Sequence, residues 1–159
     1  MGRSKNAKDY LVALQRLAES IEVLGPPPNR EKDDWEVLPN LEQRVKSILG
    51  IIDDKYRKST NMLFFVMYDI ESNKVRRYVV KYLERKGCTR IQKSIFLADL
   101  SMDKYQDIRN DLAEVQAAYD NNDSILVVPI TTDYLRSMKI IGQNIDVDII
   151  THTRNTLFF

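Results

Sequence analysis

Cysteine, histidine and glycine are scarce in this sequence, and each shortage closes off a kind of chemistry. The one cysteine, Cys88, can form neither an intrachain disulfide nor a thiolate cluster for zinc. That usage fits a reducing compartment, and a cytoplasmic location is expected. The one histidine, His152, removes mechanisms that need two imidazoles. The five glycines form neither GxGxxG nor a Walker loop, so dehydrogenase and P-loop chemistry is not expected. Long apolar runs are missing as well. Nothing approaches the roughly 20 residues of a membrane-spanning helix, and the start, MGRSKNAKDY, has no apolar signal core. No membrane partner is expected. An excess of one charge is also lacking: Lys plus Arg total 24 against 23 acids, a net charge of +1, which speaks against a uniformly basic protein.

What is present suffices for one core and an accessory segment, with 159 residues of which 43% are hydrophobic. In residues 5–24, Ala7, Leu11, Leu14, Ala18 and Ile21 follow three- and four-residue steps, the seam of an amphipathic helix. Gly25 and three prolines stop it. Leu41, Val45, Ile48 and Ile52 repeat the spacing beyond Trp35 and Pro39. Residues 1–60 therefore read as a helical extension with a proline-rich connector, which implies few obligatory contacts with residues 61–159. The polar, charged run 53–61 separates the two.

Residues 63–68 are an unbroken apolar run ending at Asp69, suited to a central strand covered on both faces. Ser72 or Asn73 opens a helix with Val75, Val79, Tyr82 and Leu83 inward and Gly87 as terminator. Residues 90–100 alternate as one continuous strand, bent or bulged. Ser101 opens a second helix with Tyr105, Ile108, Leu112, Val115 and Tyr119 inward. Residues 125–130 read as an edge or terminal strand because of Pro129, and 138–141 and 145–150 as late strands. The expectation is an α+β fold, a ferredoxin-like sandwich with two helices on one face of an antiparallel sheet, preceded by the helical extension.

Chemistry concentrates between Lys74 and Lys93, where eight basic residues face one acid, Glu84. Lys74, Arg77, Lys81 and Arg85 form one ridge at helical spacing, suited to a phosphate backbone, though a solvated helix face has the same pattern. Tyr68, Tyr78 and Tyr82 lie near it as stacking candidates, yet their alternation with valine points to core. Asp69 at a strand end is either a Mg²⁺ ligand, paired with its twofold mate in a dimer, or a cap for the next turn. Cys88 reads as a packed residue, His152 as incidental and Trp35 as a packing anchor.

The strand LFFVMYDI with its Tyr68-Asp69 pair, the segment NKVRRYVVKYLERKG, then RIQKSIFLADL, NDSILVVPI and IIG, in that order, resemble the second CRISPR-associated protein, the Cas-two family, over residues 62–150. The resemblance implies a ferredoxin-like homodimer that bridges integrase dimers in spacer acquisition and holds double-stranded DNA through its phosphates. Arg76 and Arg77 match the basic positions that open the first helix of that family, and Gln92, Ser94 and Phe96 match the strand after it. The family's C-terminal strand, exchanged between protomers and docking the integrase, corresponds to residues 147–150 with Leu157, Phe158 and Phe159. Some members are described as metal-dependent nucleases, and the matching aspartate is Asp69. A non-catalytic scaffold is therefore the leading expectation, with a Mg²⁺-dependent endonuclease acting on RNA or DNA as the alternative. A DNA-binding regulator ranks last, because the connector at 25–39 is far too long for a helix-turn-helix. The family lacks the N-terminal helices, so their role cannot be carried over.

Overall fold

The computed structural model describes residues 12, 15–16, 37–53, 55, 57–118 and 121–142, and the backbone of 145–148. The whole first amphipathic seam, Trp35, His152 and the apolar tail lie outside the described residues; of the segment that carries the seam, Val12, Gln15 and Arg16 are described and are helical.

The apolar run forms β1 (Asn61–Asp69), the strand around which the sheet is built. Its neighbours β2 (Thr89–Gln92), β3 (Ile95–Ser101) and β4 (Ser124–Pro129) give the order β2-β3-β1-β4, with every pairing antiparallel. β3 thus lies between β1 and β2, the split β-α-β arrangement of a ferredoxin-like fold. α2 (Asn73–Lys86) and α3 (Met102–Ala117) cover one face. There Phe64, Val66 and Tyr68 of β1 meet the helical stripes Val75, Val79, Tyr82, Leu83 and Tyr105, Ile108, Leu112, Val115. These stripes are the ones expected from sequence; Tyr119 lies outside the described residues.

The opposite face is covered by the chain's own flanks. α1 (Leu41–Ile52) is capped by the Asn40 side chain, which accepts from the Gln43 amide at 2.9 Å. Its Val45, Ile48 and Ile52 pack on Leu63, Ile91 and Leu97, with Leu135 of α4 (Thr132–Arg136) and Ile140 of β5 (Lys139–Gly142) completing a second core. Arg44 fastens the helix to β2, its Nη1 donating to the Ile91 carbonyl at 2.7 Å. Each buried Val or Ile contributes about 1.5–3 kcal/mol of gross burial free energy. The Leu41 seam therefore shares a core with the sheet, against the expectation of few obligatory contacts between the extension and the residues after it.

Residues 90–100 are two strands and not one. Gln92 pairs with Ile95 across the Lys93-Ser94 turn, and the register shifts between Arg90 and Gln92, a bulge. Three donors converge on the Lys93 carbonyl: Arg90 Nη2 at 2.7 Å, Arg90 Nε at 3.1 Å and the Tyr68 hydroxyl at 3.1 Å. A buried guanidinium thus holds a turn that lacks glycine. β5 pairs with β6 (Ile145–Asp148) as a separate two-stranded sheet, where Gly142 leaves room for the Leu41 side chain, which a β-carbon there would overlap.

Candidate nucleic-acid interface

α2 begins where the Ser72 hydroxyl accepts from the Val75 amide at 3.4 Å. It ends at Gly87, whose φ of 98° is a left-handed conformation that glycine adopts without steric cost. Arg85 and Lys86 occupy the last turn, where the helix dipole favours cations. With Val75, Val79, Val80, Tyr82 and Leu83 buried, the helical period turns Lys74, Arg77, Lys81 and Arg85 outward. Lys74, Arg77 and Lys81, with Asn73 and Tyr78, line an open hollow of about 490 Å³ that contains no carboxylate in its wall. Arg85 continues the ridge beyond the hollow by its helical position.

Arg76 stands apart from this group. Half-buried as Arg77, Lys81 and Arg85 also are, it lies outside the wall of the hollow, donates to the Asn73 side chain through Nη2, and its charge reaches the Tyr68 hydroxyl. Burial raises the Tyr68 pKa above the ordinary phenol value, while the positive charges of Arg90 and Arg76 act against that rise. Tyr82 belongs to the core: it is fully buried and its hydroxyl donates to Asp111 of α3, both of which raise its pKa. Tyr78 packs on the same core and forms part of the hollow. Burial pushes the Cys88 thiol up to about 12, an inert group as expected.

Asp69 is exposed at the end of β1, paired in register with Ser124. It does not cap α2, because Ser72 does. The adjacent Asp123 is committed to the backbone, its Oδ1 accepting from the Glu71 amide at 3.0 Å. Among the described residues no three His, Cys, Asp or Glu side chains gather to hold a metal. Asp69 is therefore not part of such a group among the described residues.

The sequence reading passed over the ion pair between Arg57 and Asp99, with Nε–Oδ2 at 2.9 Å. An aspartate between Ala98 and Leu100 in a strand was its signal. A carboxylate there is costly unless a cation meets it.

The family model for CRISPR associated protein Cas2 matches residues 62–138. Over this segment, just under half of the chain, the sequence is assigned to the Cas2 family. The match spans the sheet from Met62 of β1, both covering helices, the basic ridge and Asp69, and leaves α1 outside. Cas2 membership places the chain in CRISPR adaptation, the acquisition of spacers for defence. A comparison with curated proteins finds no match. Among the described residues no helix is long and apolar enough to cross a membrane.

Proposed function

We propose that this Cas2-family chain is a homodimeric bridge of the adaptation machinery that grips double-stranded DNA by its phosphates and joins integrase subunits. The observation that carries the reading is the hollow on α2, where Lys74, Arg77 and Lys81 share one open surface without an acid. Such a surface neutralises phosphates and releases counterions but reads no base edges. A second copy is supported by the sheet edge: among the described residues β4 pairs with β1 alone, and it exposes Leu126 and Val128, 57% and 37% accessible. Integrase docking falls to Leu157, Phe158 and Phe159, outside the described residues. The Mg²⁺-dependent endonuclease is the second reading, resting on an exposed Asp69 contributed by each protomer. Sedimentation of the purified chain with and without a duplex tests the proposal. A particle of twice the chain mass that binds one duplex is expected, and a concentration-independent monomer would contradict it.

A further inference from the structure

A second concave site lies at the far end of β1. Asn61 borders it, and Asp69 is eight residues further along, about 26 Å away at roughly 3.3 Å per residue. The cavity measures about 570 Å³, within the range that holds small ligands, and lies between the end of α1, the start of β1, β3 and the start of α3. Three cations, Arg57, Lys58 and Lys104, line it against one carboxylate, Asp99. The lone acid is paired with Arg57, whereas the ammonium groups of Lys58 and Lys104 meet no carboxylate among the described residues. The cavity's accessible apolar lining is half-buried Ile51 of α1 and half-buried Leu100 of β3. Two buried atoms at this wall make no hydrogen bond, Asp99 Oδ1 and Arg57 Nε, the latter held only in the ion pair with Asp99 Oδ2. A buried acceptor such as Asp99 Oδ1 is costly until a donor reaches it.

We infer that this cavity binds a nucleoside 5′-phosphate. A phosphate monoester at neutral pH carries nearly two negative charges, matching the two lysines left over once Arg57 and Asp99 have paired. The base has an apolar wall to lie on, and a sugar hydroxyl supplies the donor that Asp99 Oδ1 lacks. The run at residues 53–61, which in the sequence merely separates two segments, contributes Arg57 and Lys58 to this site. The phosphate has two sources, a free nucleotide or the 5′ end of a nucleic-acid strand. The site is independent of the ridge on α2, which lies on other residues.

Calorimetric titration with each of the four common ribonucleoside 5′-monophosphates, and with the matching nucleosides, tests the inference. At least one monophosphate should bind, and its nucleoside at least tenfold more weakly. Lys58 and Lys104 are exposed, so Lys58→Glu and Lys104→Glu should preserve the melting temperature and each weaken binding tenfold or more. A short single strand with a 5′-phosphate, compared with its 5′-hydroxyl twin, separates the sources. A phosphate advantage abolished by Lys104→Glu assigns the strand end, and nucleotide binding without that advantage assigns the free nucleotide. Absence of binding by all four monophosphates and by the phosphorylated strand, equal binding of nucleosides, or lysine variants that bind like the parent would overturn it.

Discussion

Cys88 follows the glycine that stops α2, its amide donating to the Leu83 carbonyl at 3.0 Å and its side chain buried. The folded thiol holds its proton to about 12, whereas the unfolded one loses it near the ordinary value of 9. Between those values the unfolded state binds fewer protons, so stability falls as pH rises, by at most about 1.4 kcal/mol per unit. Tyr68 and Tyr82, also raised, add to the fall once the unfolded phenols ionise near 10. Urea unfolding at pH 8–10 should show the decline, and Cys88→Ala should flatten its first part. An equal decline in the variant would show that the thiol is not the titrating group. At Asp69 the expectation is different. Since it caps nothing and is exposed, Asp69→Asn should change stability by no more than about 0.5 kcal/mol, typical of surface positions. Dimerisation and duplex binding should persist while any Mg²⁺-dependent cleavage is lost. A folded Asp69→Asn protein that cannot support spacer integration would make the carboxylate essential.

α1 is the element whose place could not be read in advance. Its seam was plain in Leu41, Val45, Ile48 and Ile52, but a seam states only that something is buried. The partner, the sheet face carrying Leu63, Ile91 and Leu97, is set by the tertiary fold. Ile48→Ala should therefore cost about 2–4 kcal/mol in denaturant unfolding of the whole chain, as a cavity in a shared core does. A cost under about 0.5 kcal/mol would mean that the helix only rests on the sheet. The α2 boundaries were legible because Ser72 and Gly87 carry their own geometry. The β2–β3 turn was not, since Lys93-Ser94 has none of the glycine or asparagine that marks a two-residue hairpin. Arg90 supplies from the side what the turn lacks. Even so, the alternation assigned the faces properly, with Ile91, Ile95 and Leu97 on one and Phe96 and Ala98 on the other. α4 escaped notice because five residues are too few for a period, although its Thr131 cap was there to read.

At the scale of the whole molecule, a nearly neutral chain has divided its surface. One sheet face carries α2 and α3 with the cationic ridge outside, and the other is closed by α1, α4 and β5. The ridge was legible as spacing; Arg76, which the family resemblance added to it, lies outside the hollow, with its charge reaching Tyr68. This division makes a specific demand on DNA binding: it should be electrostatic, indifferent to sequence and carried by Lys74, Arg77 and Lys81. The most direct test compares the parent with the triple variant Lys74→Ala, Arg77→Ala, Lys81→Ala on two unrelated duplexes across a range of salt. Affinity for both duplexes should fall together, and the slope of log K against log salt should become shallower by about 0.9 for each phosphate contact removed, roughly 3 per protomer. An unchanged slope, or a loss confined to one duplex, would contradict the account.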